Sequence, residues 1–322
     1  KLVPGYSLPL GFEYSDPYRY DRIREVLTGR AKFSIADMQA LQQDVMSLPA
    51  RRLVPLALHA KPLSEPAARA QALLRDWDYR MAKDSVAAAV YEMFQLKLPA
   101  LAYAPRLPEK ERAAFRGFDL GRVIQWMEKP DAAYGRSAGE QRAARDRILS
   151  EALDQAIGHL VRLRGDDTKA WAWGAFHTAD FTHPLAARPG GALAGEDVFA
   201  ITPTPRGGDG HTPMASSNAS ETGTKQTAGA SFSFVADPGD WDRSTFLSAP
   251  GQSAQPLSPY YANLIESWAA GQGSVLAFSR DRVEGVRAHT LTLAPILDRT
   301  APSAEEPFEP VQRGLFDAAG GQ

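Results

Sequence analysis

The stretch GASFSFVADPGDWDRSTFLSAPGQSAQPLSPYYANLIESWAAGQ, residues Gly229–Gln272, places many small, turn-forming residues between two apolar segments. A flexible linker is equally rich in Gly, Ser and Pro, but it does not carry Trp241, Phe246, Leu247, Tyr260 and Tyr261, which bury large apolar area when ordered. The segment between Gly239 and Leu264 therefore reads as an ordered loop. Before it, Gly229–Asp237 is a short apolar run with aromatics, bounded by Pro238 and Gly239, and reads as a buried strand. Ser244–Ser248 reads as its hairpin partner and Pro259–Trp268 as a helix. Ser274–Phe278 comes next as a strand, Arg280–Val286 as a short helix and Ala288–Leu293 as a final strand.

Working outward, residues 171–294 carry strand, turn and loop signals, whereas residues 17–164 are dominated by helical ones. Pro17 suits a first helical turn, and Tyr20, Ile23 and Leu27 recur at helical spacing until Gly29. Ser34 with Asp37 three residues on forms a box-like start, and that helix is expected to bend at Pro49 before Leu53–Leu58. Further helices are expected over Ala67–Trp77, Ser85–Leu98 and Glu140–Leu163. In the last, Ile148, Leu149, Leu153, Ile157, Leu160 and Val161 form one apolar stripe. Arg188–Thr227 is a Gly/Thr/Pro/Ser-rich connection longer than a compact domain usually contains, hence functional or mobile. The tail 303–322 is polar enough to wander over a surface.

The totals exclude several classes. With 36 Lys plus Arg against 38 Asp plus Glu, the net charge of -2 gives no field favouring nucleic acid or an anionic membrane. A 44 % hydrophobic fraction marks a globular chain, and no apolar run of about 18 residues suggests a membrane span. The absence of cysteine removes disulfides, thiolate nucleophiles and thiolate zinc sites. The chain opens KLVPGYSLPL without an initiating Met or a charged-then-apolar leader, so Lys1 reads as a cut end.

Candidate chemistry is sparse. His177 and His183 are six apart, a spacing that shares a face only on a strand, and structural histidines are the better reading than a metal pair. Gly207–Thr212, GGDGHT, offers amides that could cradle an anion but lacks the Lys and Ser/Thr of a phosphate loop, which favours a tight turn. Ser217-Asn218-Ala219 near His211 has no G-x-S-x-G elbow and no rigid setting for a nucleophile. Asp76 with Asp78, and Asp166 with Asp167, read as solvated or helix-end pairs, and Arg19, Arg22 and Arg24 as a wet basic face.

Five segments in order resemble the penicillin acylase family. Gly229–Gln272 resembles its signature in which a G-A-S-F strand leads through G-D-W-D and P-G-Q-S to S-P-(H/Y)-Y. Asp16–Leu27, DPYRYDRIREVL, resembles its P-Y-R-x-x-R-I helix, and Asp37–Leu56 its Q-x-D-x-x-S-x-x-A-x-x-L-x-P helix. Ala170–Leu185 resembles its W-G-x-x-H-x-x-x-F-x-H-P-L segment, and Pro203–Ser217 its G-G-D-G-x-T loop.

The resemblance implies an α+β fold, the four-layer αββα sandwich of N-terminal nucleophile hydrolases, to which this chain brings late strands and a helical excursion. It implies a secreted or periplasmic precursor that cuts itself into an α chain and a β chain, whose new N-terminal serine is nucleophile and, through its amine, base. Lys1–Pro4 resembles the residues immediately after the family's oxyanion Asn, so this chain is expected to be the C-terminal part of a β chain. Its partners would then be the α chain and the N-terminal part of the β chain. Arg19 matches the arginine that supports the nucleophile's amine and the oxyanion Asn. Calcium, common in the family, is implied only through residues outside this chain, since Glu13 and Asp16 do not clearly match its carboxylate ligand. The expected substrate is an N-acylated small molecule, an acyl-homoserine lactone or a penicillin. The rival reading is a periplasmic ligand-binding module that uses the loop 207–220.

Overall fold

The computed structural model describes residues 14–116, 118–181, 183, 199–218 and 224–293. The chain forms two units, Lys1–Phe278 and Ser279–Gln322. The first begins with nine helices among the described residues: α1 Tyr18–Thr28, α2 Ile35–Gln42, α3 Leu48–His59, α4 Glu65–Leu74, α5 Val86–Tyr103, α6 Glu109–Arg112, α7 Leu120–Glu128, α8 Ala138–Arg164 and α9 Trp173–Phe176. Serine starts them repeatedly: the side chains of Ser34, Ser47, Ser64, Ser85 and Ser137 each accept an N–H of the first turn. Ser34 with Asp37, and Ser137 with Glu140, close complete capping boxes. The apolar stripe of α8 packs along α4 and α5, and Leu53, Phe94, Ile124, Leu153, Trp171 and Trp173 are fully buried in the shared core.

The expected helix bent at Pro49 is instead two helices. Ser47 caps α3, and Pro49 lies in its first turn, where a missing N–H costs nothing. Between them, the corner 44–47 pairs with residues 79–81 through Ser47 N–H to the Tyr79 carbonyl and Met81 N–H to the Val45 carbonyl. Helix α7, capped by Asp119 and burying Val123, Ile124 and Met127, has no counterpart in the sequence reading.

Two small sheets come next. One has the order β2-β1-β4-β3, from β1 Thr178–Ala179, β2 Thr204–Pro205, β3 Ser216–Asn218 and β4 Gln226–Gly229. The other is the meander β5 Phe232–Val235, β6 Thr245–Ser248 and β7 Ser274–Val275, with Phe234 opposite Phe246. Gly229–Asp237 is thus not one buried strand, because the chain leaves the first sheet at Gly229 and enters the second at Phe232. On β5 only Val235 is buried, and Phe232 is 59 % exposed. Arg188–Thr227 is no plain loop either: its described parts hold β2, β3 and the start of β4.

The small residues of the opening stretch close a tight loop. A Cβ on Gly251 would sit 2.2 Å from the Tyr260 carbonyl oxygen, which accepts the N–H groups of Gln252 and Ser253. That closure turns most of the expected Pro259–Trp268 helix into turns, leaving α10 Ile265–Ala270. In the second unit α11, Arg280–Val286, stands where expected, whereas 288–293 adopts no regular structure. The tail 303–322 lies outside the described residues. The mixed helical and sheet content is the expected α+β class, and no helix among the described residues is long and apolar enough to cross a membrane.

Candidate functional site

Backbone hydrogen bonds sew three remote segments around one turn. The Gly208 N–H donates to the Met81 carbonyl at 2.7 Å, the Met214 N–H to the Asp44 carbonyl at 2.9 Å, and the Arg206 N–H to the His177 carbonyl at 2.8 Å. Trp173 adds an indole N–H bond of 2.9 Å to the Gly208 carbonyl. Gly208 has φ +74°, and a Cβ there would lie 2.5 Å from the Met214 carbonyl oxygen, so the turn demands glycine for both conformation and space. The amides of Gly208, Asp209 and His211 all donate inside this structure, the last two to Thr212 Oγ1 and Asp209 Oδ1. The tight-turn reading of GGDGHT therefore holds, and an anion cradle would find these donors already used.

Beneath the turn lies a buried polar centre. Glu92 and Asp209 are each 2 % exposed, and His177 is fully buried with its ring stacked on Trp173 at 4.6 Å. Glu92 Oε1 accepts a long 3.4 Å bond from Asn218 Nδ2, Asp209 Oδ1 accepts the His211 N–H, and His177 Nδ1–H donates to the Thr224 carbonyl. Glu92 Oε2, Asp209 Oδ2, His177 Nε2 and Gln226 Oε1 have no hydrogen-bond partner among the described residues. Burial, and then the charge of Asp209, pushes the Glu92 carboxyl up to about 8, while burial pushes His177 below the ordinary imidazole value. Arg206, buried nearby, stacks on Trp268 at 4.0 Å and donates to the C-terminal carbonyls of α10 at Trp268 and Ala269. Burial alone lowers it to about 10.

Helix α1 docks against this assembly. The Tyr18 ring meets His211 edge-on at 5.7 Å, and Arg22 Nε donates to the buried Asp44 at 2.6 Å. Arg22 is therefore not part of a wet face. It continues to Glu25, which pairs with Arg51, and Arg80 reaches Asp44 from the other side. Arg24 contributes its backbone carbonyl to Thr28, and Arg19 is exposed with no hydrogen bond or ion pair among the described residues.

The other candidates stay structural. His183 stacks on Phe199 at 4.5 Å, and β1 ends at Ala179, so no continuous strand aligns it with His177. Ser217 belongs to β3. Asp78 accepts the Arg80 N–H, Asp167 caps a single helical turn, and Asp166 pairs with Arg69. Glu13 and Ala219 lie outside the described residues. Asp16 is half-buried with its carboxylate against Gly121, and burial raises it. No group of three or more His, Cys, Asp or Glu among the described residues could hold a metal. The calcium site implied by the resemblance thus has no ligand set in the described part of this chain.

The centre can hold charge and orient the turn, but among the described residues it contains no activated nucleophile. Sequence reasoning missed Glu92, although one carboxylate inside the apolar run VAAAVYEMF is the signal that marks it.

Comparisons with known proteins give the family. The penicillin amidase family model matches residues 1–285. The penicillin acylase 2 proenzyme of Pseudomonas sp. (strain SE83) is 32 % identical over 289 residues, covering 87 % of this chain and 35 % of that protein. The acyl-homoserine lactone acylase QuiP of Pseudomonas syringae pv. syringae (strain B728a) is 28 % identical over 322 residues, covering 92 % and 38 %. This chain therefore spans little more than a third of the length of these relatives. The structure of a thermostable penicillin G acylase from Alcaligenes faecalis superposes with a TM-score of 0.50 at 15 % identity, over 92 % of this chain and 56 % of that one, a likeness of fold alone. With the family model covering most of the chain and the P-Y-R helix meeting the G-G-D-G turn in space, this chain belongs to the penicillin amidase family.

Proposed function

We propose that this chain is the C-terminal part of the β chain of an acylase that hydrolyses the amide bond of N-acylated small molecules, acyl-homoserine lactones or penicillins. The nucleophile is an N-terminal serine outside this chain. Its Oγ attacks the amide carbonyl while its own α-amine takes the proton, and backbone N–H groups with an Asn side chain hold the tetrahedral oxyanion. Collapse expels the amine, which takes up that proton, and water then releases the acid from the acyl-serine. In this reading the α chain and the N-terminal part of the β chain complete the enzyme, which works in the periplasm or outside the cell.

The observation that carries the reading is the docking of α1 on the G-G-D-G turn, Tyr18 against His211, with Arg22 locked to Asp44. Arg19 lies on that helix, exposed and without a hydrogen bond or ion pair among the described residues, and in this reading its guanidinium serves the serine amine and the oxyanion Asn.

The test is mass spectrometry of products from the full processed enzyme given a long-chain acyl-homoserine lactone and an aromatic-acyl penicillin. Free carboxylic acid with an intact lactone or β-lactam amine is expected; a ring-opened product that keeps its acyl group refutes the reading. Arg19→Ala, with correct processing confirmed on a gel, should lower turnover by about a hundredfold or more, the size of a lost oxyanion-supporting contact.

A further inference from the structure

Two buried carboxyl groups, one within reach of the other's charge, need compensation, and the centre beneath the turn does not supply it for both. Glu92 reaches the turn from α5, flanked on its own helix by Tyr91, whose hydroxyl donates to Gln95 at 2.6 Å. From the turn it meets the charge of Asp209, and from β3 only the amide of Asn218 at 3.4 Å. His177 and Arg206 complete the charged surroundings. The imidazole is held toward its neutral form by burial, and Arg206 donates through Nη1 to the carbonyls at the end of α10, while its buried Nε has no partner and bonds to neither carboxyl. Among the described residues no cation bonds to Glu92, and both carboxyls keep one orphaned oxygen. Two adjacent anions in such a place repel strongly and leave desolvation unmatched. Of the pair, Asp209 is the better supported as an anion, because it accepts a backbone N–H at 2.7 Å while Glu92 accepts one long side-chain bond.

We propose that Glu92 is a positioning residue held as the neutral acid, so that the buried centre carries a single negative charge, on Asp209, and the turn bearing His211 keeps its place against Tyr18 and the helix of Arg19. Loss of that one proton puts a second anion beneath the turn, where no ion pair among the described residues reaches either carboxyl. The proposal rests on the acylase reading for its effect on turnover, but not for the protonation state itself. The raised value of Glu92 agrees with the geometry and puts the loss on the alkaline side of neutrality.

The experiment uses the full processed enzyme and has two arms. In the first, infrared spectra are taken of wild-type protein carrying carboxyl-¹³C glutamate. The expected result is an isotope-shifted carbonyl band of a neutral carboxylic acid at neutral pH, which disappears on alkaline titration. Absence of such a band overturns the proposal without any variant having to fold. In the second arm, pH profiles of kcat/KM are compared. The wild type should lose activity along an alkaline limb, Glu92→Gln should lose that limb, and Glu92→Gln should restore the turnover that Glu92→Ala forfeits. An unchanged limb in Glu92→Gln, or a folded Glu92→Gln as impaired as Glu92→Ala at neutral pH, overturns the proposal. A protein that shows the acid band but cleaves no acyl amide refutes the acylase reading and leaves the protonation state standing.

Discussion

Asp44→Ala tests whether the P-Y-R helix is held by one buried carboxylate. Asp44 is 6 % exposed and takes three donors: Arg22 Nε at 2.6 Å, the Met46 N–H at 3.0 Å and Arg80 Nη1 at 3.4 Å. Removing it leaves the part-buried Arg22 without its shortest partner and orphans an N–H at the corner. Charge-assisted bonds contribute about 1.5–3 kcal/mol, and an unsatisfied buried N–H costs about 1–3 kcal/mol. Breaking a buried ion pair from one side costs about 3–5 kcal/mol in all, and the fallback contact of Arg22 with Glu25 at 3.3 Å brings the expectation to about 3 kcal/mol. The assay is urea denaturation of the full processed enzyme, with Arg22→Ala and the double variant closing a cycle. The coupling energy should be about 1.5 kcal/mol or more, against about 0.2–1 kcal/mol for the exposed pair Arg51–Glu25 measured in the same way. Because Met214 docks on the backbone carbonyl of Asp44, the 206–214 turn should survive, so turnover should fall with α1 rather than with global unfolding. A loss below about 1 kcal/mol, or a coupling no larger than that of the exposed pair, refutes the reasoning.

Three further outcomes are expected. Gly251→Ala drives a methyl group to 2.2 Å from the Tyr260 carbonyl oxygen, so it should cost about 1–3 kcal/mol or more by thermal melting; an unaltered midpoint would mean that the loop opens freely. His177 is depressed by burial, so its share of stability is present above its unfolded value of about 6.5 and is lost as pH falls through the lower folded value; melting temperature measured across that window should drop on acidification, and His177→Phe should flatten the drop. Exposed aromatics such as Phe232 and Phe278, 59 % and 66 % exposed, should make the isolated chain bind a hydrophobic dye and aggregate; a dye-silent, monomeric, cooperatively melting preparation would show that they need no cover.

Where a signal is local, the sequence determined the outcome. Serine caps and apolar periodicity placed α1, α4, α5, α8 and α11 within a few residues, because capping and stripe burial act inside a few turns of chain. Ordered motifs then placed the chain in its family. Local signals failed at Pro49, where a proline suits a first turn as well as a kink, and the choice fell to the pairing of 44–47 with 79–81. They failed again at Pro259–Trp268, where helical propensity lost to closure of the loop on Gly251. Arg22 and Arg24 read alike on one helix, yet only Arg22 faces a buried acceptor contributed from another segment, at Asp44. The polar centre is the plainest case. Glu92 and His177 come from stretches remote from the 207–220 segment that holds Asp209 and Asn218, and nothing in any one of the three states that the others lie near. The raised Glu92 carboxyl and the depressed His177 imidazole arise from burial, with the charge of Asp209 added at Glu92, and that burial exists only once the chain has closed around them.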